Sequence, residues 1–222
     1  MNQGVTSFLR TAVLGASQGL GRAILGHLAD SEGSRTLAVA RRLEDVPPSV
    51  ETFSCDLVQV ERRRELIVRL RDFSPSAIFY CAGGGPYGPF GKKEWKDHQW
   101  AFDLNLLAPA EICHAAVRGD LPSVSQIVLV GSAVAEADSD LGACSYSTAK
   151  HGLVGLFKNL IEESTDIDFR LYSPGYMDTK MLPPGATVRQ RSIWNPRDVA
   201  EDLLKWVRSA ERNSHRRLAL YP

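Results

Sequence analysis

Short apolar runs alternate with longer amphipathic segments along this chain. Runs rich in small and β-branched apolar residues predict strands, and apolar positions recurring at three- and four-residue intervals predict helices. Their alternation predicts one α/β domain over residues 1–222, with a doubly wound, mainly parallel, seven-stranded sheet and helices on both faces. The predicted strands are 10–14, 35–40, 50–54, 77–81, 125–130, 168–173 and 215–220, and the predicted helices are 20–31, 58–72, 92–104, 107–119, 144–164 and 196–210.

A glycine-rich turn follows the first predicted strand. Gly15, Gly19 and Gly21 lie between that strand and the first predicted helix. Glycines permit a tight bend and a close approach of the backbone to a pyrophosphate, and the free amides at a helix start hold phosphate charge. Glycines also make ordinary turns, but the strand before this one and the helix after it favour dinucleotide binding.

Tyr146 and Lys150 are four residues apart at the start of a predicted helix, so both lie on one helix face. A phenol titrates near pH ~10, and a cation within a few Å favours the phenolate. A lowered pKa would bring Tyr146 into the range of an acid/base catalyst at neutral pH. A surface tyrosine and a solvated lysine sharing a helix face would have the same spacing, so the pair alone leaves that alternative open.

These motifs together resemble the short-chain dehydrogenase/reductase family. That family combines a Gly-x-x-x-Gly-x-Gly turn, a serine and a Tyr-x-x-x-Lys helix in this order, and here the serine is Ser132, directly after the predicted fifth strand. The resemblance covers nearly the whole chain and implies a Rossmann-type fold and an NAD(P)-dependent oxidoreductase. Further matching positions are Asp56-Leu57, Asn105, Pro174-Gly175 and Asp178-Thr179.

The resemblance implies a catalytic role for four residues. Ser132 polarises a substrate carbonyl, and Tyr146 gives its proton to the developing alkoxide. Lys150 binds the nicotinamide ribose and lowers the pKa of Tyr146, while Asn105 holds a helix kink and a water linked to Lys150. The implied reaction is reduction of a carbonyl to an alcohol, or the reverse. A non-catalytic nucleotide sensor or scaffold of the same fold is an alternative, although a sensor has no need of a proton donor.

Cofactor choice depends on the residues after the second strand. An acidic residue there takes the ribose hydroxyl of NAD, whereas Arg41 and Arg42 favour the 2′-phosphate of NADP(H) over NAD(H). Ser17 offers a further hydroxyl to that phosphate. NAD(H) remains an alternative cofactor for two reasons. Both arginines could be solvated charges of a surface loop, and Gln18 occupies a position where many NADP-preferring relatives carry a basic side chain.

The predicted cofactor-binding residues lie in the turns after successive strands and on the Tyr146 helix. Among them, Asp56 contacts the adenine edge by resemblance, and it also fits a cap for a helix starting at Val58. The full set is Gly15, Ser17, Gln18, Gly19, Leu20, Gly21, Arg41, Arg42, Asp56, Leu57, Ala82, Gly83, Tyr146, Lys150, Pro174, Gly175, Met177 and Thr179.

Two stretches depart from the family pattern. Cys81 replaces the asparagine that usually precedes Ala-Gly after the fourth strand, so we expect altered packing with cofactor binding retained. The segment 179–195 is short for a substrate cover, and 84–90 is expected to line the opposite wall, which indicates an open, partly apolar site for a modest carbonyl compound. Both stretches also fit ordinary loops. Their apolar residues are Tyr87, Phe90, Met181, Leu182, Ile193 and Trp194, beside Pro183-Pro184-Gly185.

Composition narrows the remaining partners. Lys plus Arg and Asp plus Glu each number 26, which favours neither nucleic acid nor an anionic membrane. The opening residues lack a secretory pattern, and no apolar stretch reaches the ~20 residues that span a bilayer. The four cysteines and five histidines lack metal-ligand spacing, so we predict no metal and a reducing, cytoplasmic location. The resemblance implies a homodimer or homotetramer through the helices at 92–119 and 144–164.

Overall fold

The computed structural model describes residues 10–137, 142–163, 166–182 and 185–222. Its strands form one seven-stranded sheet in the order β3-β2-β1-β4-β5-β6-β7, and every neighbouring pair is parallel. The strand order therefore reverses between β1 and β4, where doubly wound sheets form a ligand crevice. The strands are β1 (Arg10–Leu14), β2 (Arg35–Ala40), β3 (Glu51–Ser54), β4 (Ala77–Tyr80), β5 (Gln126–Val130), β6 (Asp168–Ser173) and β7 (His215–Arg217).

The last strand is shorter than the predicted 215–220. Leu218 still donates its backbone N–H to the Ser173 carbonyl, but the chain then crosses the end of β6, where the Tyr176 N–H donates to the Leu220 carbonyl. Residues 218–221 therefore leave the sheet and pack against the turn after β6. Strands β3, β4 and β5 differ from their predicted bounds by one residue at one end.

Helices cover both faces of the sheet. Residues alternate between the two faces along each strand: Ala12 and Leu14 pack toward α2, α4 and α6, while Val13 packs toward α1 and α7. The helices are α1 (Gly19–Ala29), α2 (Val60–Phe73), α3 (Trp95–Phe102), α4 (Ala108–Val117), α5 (Ala133–Ala137), α6 (Cys144–Glu163) and α7 (Pro196–Val207). The predicted end of α6 at residue 164 lies outside the described residues.

The prediction of two separate helices at 92–104 and 107–119 was wrong. A single helical rod (95–117) contains α3, a π-helical turn at Asp103–Leu107 and α4 without a break. Pro109 explains the irregularity, because it has no N–H to donate to the carbonyl of Asn105 four residues earlier. The helix therefore widens for one turn at the position where the sequence predicts a break between two helices.

Strand β6 contains a buried ion pair at the edge of the sheet that lies opposite the crevice. Arg170 of β6 donates to Asp168 at 2.8 Å, and their side chains are only 1% and 9% exposed. Gln126 Nε2 also donates to Asp168, and the guanidinium of Arg170 donates to the Trp206 carbonyl. These bonds satisfy two charges that would otherwise be costly to bury.

Candidate active site

A cavity of about 240 Å³ lies at the carboxyl ends of the strands, at the reversal between β1 and β4. It is lined by the turns after β1, β2, β3, β4, β5 and β6, by one face of α6 and by part of the helical rod. Of the predicted catalytic and cofactor-binding residues, only Gly21, Arg42 and Asn105 do not line it. The alternation of strands and helices therefore brings together motifs that are up to 164 residues apart, from Gly15 to Thr179.

The glycine turn is packed too closely for side chains. A Cβ on Gly15, which has φ +90°, would lie 2.5 Å from the Ala82 nitrogen, and one on Gly21 would lie 2.3 Å from the Gly15 oxygen. Helix α1 begins at Gly19, and within the described residues Gln18 at its N-cap makes no side-chain capping bond. The amides of the first turn are therefore available to an anion, as binding of a dinucleotide pyrophosphate requires.

Lys150 is buried beside the ring of Tyr146. The two lie one turn apart on α6, and Lys150 Nζ is 5.6 Å from the centre of the Tyr146 ring. Only 2% of Lys150 is exposed, and its ammonium donates to the Val130 carbonyl at 2.6 Å. Burial lowers the pKa of Lys150 to about 8, against opposing contributions from Cys81 and Glu136. The spacing of four residues does put both groups at one cavity.

Ser132 occupies the bend between β5 and the short helix α5. Its hydroxyl oxygen accepts the Ala135 N–H at 3.3 Å, and its own N–H donates to Glu136 Oε1 at 3.1 Å. The side chain is buried but borders the cavity. Since the oxygen is the acceptor in this bond, the hydroxyl can still donate its proton into the cavity.

Asn105 is fully buried in the π-helical turn and does not reach the cavity. Its amide nitrogen donates to the carbonyls of Gly84 and Ala101, both at 2.6 Å, and its oxygen accepts the Gly84 N–H at 3.2 Å. A Cβ on Gly83 would lie 3.1 Å from Asn105 Oδ1 and 3.6 Å from Lys150 Nζ. Asn105 and Lys150 therefore both approach Gly83 where a side chain would otherwise lie.

At the other end of the cavity, the two predicted arginines differ. Both are exposed, but Arg41 lines the cavity and Arg42 does not. Asp56 also lines it, and its carboxylate accepts the Val58 N–H at 3.3 Å. Because α2 begins at Val60 with Gln59 as its N-cap, Asp56 supports the preceding turn and does not cap the helix. The cap interpretation was wrong, because the helix begins at Val60, two residues after the predicted start at Val58.

Comparison with known proteins identifies this arrangement. A family model described as short chain dehydrogenase matches residues 10–187, which include the glycine turn, Ser132, Tyr146 and Lys150. The protein belongs to the short-chain dehydrogenase/reductase family. As a member of this family, it is an NAD(P)-dependent oxidoreductase.

Two curated relatives and one solved structure illustrate the similarity. The chain is 31% identical over 207 residues to a PIGF/3-ketodihydrosphingosine reductase fusion protein of Schizosaccharomyces pombe, covering 82% of this chain but only 41% of that protein. It is 26% identical over 181 residues to the 3-oxoacyl-[acyl-carrier-protein] reductase of Mus musculus, covering 77% and 76%. A structure titled 4-hydroxyisoleucine dehydrogenase complexed with NADH shares the fold, with a TM-score of 0.81, 19% identity and coverage of 96% and 97%.

On the substrate side of the cavity, the residues that form the wall differ from those expected from the sequence. Tyr87 and Phe90 do not line the cavity, and the Phe90 ring packs on His98 with centroids 4.4 Å apart. Trp100 and Leu104 of the helical rod form that wall instead. Their four-residue spacing was a usable signal, since it puts both on one helix face.

The expected cover over 179–195 is only partly at the cavity. Met181 and Leu182 line it, whereas Ile193 and Trp194 do not, and Pro183 and Pro184 lie outside the described residues. Trp194 forms a parallel bridge with Met177 and donates its indole N–H to the Ala219 carbonyl at 3.0 Å. Trp194 therefore anchors the segment that bears Met177.

Further residues of the cavity carry no motif that predicted them. They come from strand ends, from turns and from α5, close in sequence to predicted residues, namely Ala40, Cys55, Val130, Gly131, Val134 and Tyr176. Cys81 also lines the cavity, and burial raises the pKa of its thiol to about 12. Among the described residues we find no helix long and apolar enough to cross a membrane and no group of three side chains suited to a metal.

Proposed function

We propose that this protein uses NADP(H) to reduce a carbonyl of a small, partly apolar substrate to an alcohol, or to catalyse the reverse oxidation. The observation that carries the proposal is the convergence of Ser132, Tyr146 and Lys150 on the cavity that also receives the glycine turn. A sensor or scaffold would need the turn alone, because only a reaction needs a proton donor beside a polarising hydroxyl.

In the proposed reduction, two side chains act on the substrate oxygen. Ser132 donates a hydrogen bond to the carbonyl oxygen, which favours the negative charge that develops there. Tyr146 then donates its phenolic proton to that oxygen, completing the alcohol. A bound nicotinamide cofactor supplies the hydride that the carbonyl carbon receives.

Lys150 supports the proton donor in this scheme. Its pKa of about 8 keeps the ammonium mainly protonated at neutral pH, despite complete burial. A positive charge 5.6 Å from the ring centre favours the tyrosinate left after proton transfer. The same ammonium is the proposed ligand of the nicotinamide ribose, and Asn105 is proposed to hold a water connected to it.

The preference for NADP(H) rests on Arg41. Its exposed guanidinium borders the adenosine end of the cavity, and Ser17 and Asp56 line the same region. A guanidinium forks onto a phosphate, and no carboxylate follows β2 directly to take a ribose hydroxyl. An NAD-linked enzyme is the second candidate, favoured by the neutral Gln18 at the cavity and by the absence of Arg42 from its lining.

The proposed substrate is a ketone with apolar flanks. Trp100, Leu104, Met181 and Leu182 surround the substrate end with apolar side chains. Two relatives are named as reductases of a 3-keto and a 3-oxo compound, which supports the reductive direction. A cytoplasmic homo-oligomer completes the proposal; Leu107 and Val117 on the helical rod are half exposed, as an interface helix requires.

The test is Tyr146→Phe, assayed as NADPH consumption with a panel of aldehydes, ketones and quinones. We expect turnover to fall by about 10²–10⁴-fold, because the proton donor is lost, while NADPH binding measured by calorimetry stays within about twofold. Tyr87→Phe is the matched control, since Tyr87 is exposed and outside the cavity. Turnover in Tyr146→Phe equal to wild type would remove Tyr146 from the mechanism.

A further inference from the structure

A carboxylate is buried directly behind the catalytic serine. Glu136 projects from the short helix α5, and only 6% of its side chain is exposed. No motif pointed to this residue, and no step proposed above uses it. Burying a carboxylate is costly unless its oxygens are hydrogen-bonded, so its partners indicate what it does.

The first partner is Ser132 itself. The Ser132 N–H donates to Glu136 Oε1 at 3.1 Å, while the Ser132 hydroxyl oxygen accepts the Ala135 N–H at 3.3 Å. This reciprocal pair resembles the capping box of helix starts, with the acidic residue one position later than usual. The backbone and the side chain of Ser132 are therefore both held by α5.

The second set of partners ties the carboxylate to the sheet. Ser173 at the end of β6 donates its hydroxyl to Glu136 Oε1 at 2.6 Å, and His215 Nε2 of β7 lies 3.4 Å from Glu136 Oε2. Gly131 leaves the room for this approach, because a Cβ there would lie 2.4 Å from Ser173 Oγ and 2.7 Å from Glu136 Oε1. Two strands and the loop after β5 thus meet at one side chain.

The surroundings keep Glu136 ionised. Burial acts to raise its pKa, but hydrogen bonds from His215, Ser173 and the Ser132 amide together hold the pKa of Glu136 below its usual range. The titratable groups that face it are His215 on β7 and, at longer range, Lys150 on α6, while Arg217 donates to the nearby Ala133 carbonyl. Its negative charge also favours the protonated form of Lys150.

We propose that Glu136 is a positioning residue for the reaction: it fixes Ser132 so that the hydroxyl points at the substrate oxygen, and Ser173 and His215 fix Glu136. This inference rests on the proposed reductase activity. It assigns Glu136 no contact with substrate or cofactor. Its effect on turnover passes through Ser132.

The experiment is a double-mutant cycle between Glu136→Gln and Ser132→Ala, read as kcat and KM with NADPH and a ketone that the wild type reduces. Glutamine keeps the shape of the side chain but cannot accept all three bonds. We expect Glu136→Gln to lower kcat by about 10- to 100-fold, as misplacement of a catalytic group does. KM and the Kd for NADPH stay within about twofold. In the Ser132→Ala background the same change has little further effect, because the group that it positions is already gone.

Two controls make the result decisive. Glu111→Gln removes a carboxylate that pairs with Arg63 away from the cavity, and we expect its kcat to equal that of the wild type. Ser173→Ala keeps Glu136 but removes one of the hydrogen bonds that hold its carboxylate. This variant replaces Glu136→Gln in the experiment if Glu136→Gln fails to fold. We expect Ser173→Ala to lower kcat by a smaller factor, and we expect this loss to vanish in the Ser132→Ala background. Unchanged kcat, or the same fold-loss in both backgrounds, overturns the positioning role. A wild type that reduces no compound of the panel overturns the proposed function instead.

Discussion

Gly84 and Asn105 exchange two hydrogen bonds, with the Asn105 amide donating to the Gly84 carbonyl at 2.6 Å and the Gly84 N–H donating back at 3.2 Å. The exchange joins the loop after β4 to the π-helical turn of the rod. Tyr80 adds a bond from its hydroxyl to the Leu104 carbonyl at 2.7 Å. The cavity wall formed by the rod is therefore held from strand β4.

Asn105→Ala removes both bonds and leaves two buried backbone groups of Gly84 without partners. Each unsatisfied group costs about 1–3 kcal/mol, so we expect the free energy of unfolding to fall by about 2–5 kcal/mol. Urea titration followed by circular dichroism measures this loss. Asn159→Ala is the control, because Asn159 is exposed and, among the described residues, bonds only the Gly155 carbonyl of its own helix. A change within about 0.5 kcal/mol for Asn105→Ala would contradict the assignment.

Lys150→Met is expected to stabilise the fold at pH 7 while turnover collapses. Folding moves the lysine pKa from 10.5 to about 8 through burial, which costs up to about 3 kcal/mol when the amine is protonated in both states. Loss of the bond to the Val130 carbonyl offsets part of this, leaving a net gain of about 1–3 kcal/mol.

The same substitution predicts a pH dependence. Below pH 8 the wild type bears the full cost of the buried charge. Between about pH 8 and 10.5 the folded protein has lost this proton and the unfolded chain still holds it, so the wild type gains stability with rising pH. The advantage of Lys150→Met should therefore shrink over that window. Comparing the two proteins at each pH cancels the other titrating groups, and an advantage independent of pH would exclude this explanation.

Arg41→Ala is expected to raise the Kd for NADPH by about 10- to 100-fold, since a charge-assisted hydrogen bond contributes about 1.5–3 kcal/mol. The Kd for NADH should change little, because that dinucleotide lacks the 2′-phosphate. Arg42→Ala provides a matched neighbour: it removes an equal charge that does not line the cavity. Calorimetric titration with both dinucleotides decides the matter, and equal losses for NADPH and NADH would refute the role of Arg41.

Arg170→Ala should destabilise the protein by about 3–5 kcal/mol, because it leaves Asp168 charged and buried. Arg35→Ala tests the same kind of pair at the surface, where the Arg35 and Glu51 side chains are 57% and 38% exposed, and we expect at most ~1 kcal/mol. Both losses are measured by denaturant unfolding. Turnover per folded molecule should be unchanged in Arg170→Ala, since this pair lies at the far edge of the sheet; reduced turnover would argue for long-range coupling.

Local sequence patterns predicted the sheet and most of the cavity lining, because the strands and the motifs are each determined by residues that are close together in the sequence. Apolar alternation located β1, β2 and β6 with their observed bounds, and parallel strands then brought the motifs to one edge. These patterns failed where the structure depends on contacts between residues far apart in the sequence, or where an element is very short. The five residues of α5 are too few to display a helical period, and the contact that draws Phe90 away from the cavity to His98 involves side chains that carry no motif. Glu136 was missed for the same reason, because its partners Ser173 and His215 come from two later strands.

Residues 218–221, which follow the last strand, support the turn after β6. The Leu220 carbonyl accepts the Tyr176 N–H, the Ala219 carbonyl accepts the Trp194 indole, and the Tyr221 ring packs on Tyr176. These supports lie about forty residues beyond Thr179, the last of the predicted site residues. A substitution at 218–221 that disturbs them would therefore loosen the pocket at Tyr176 while leaving every motif residue in place.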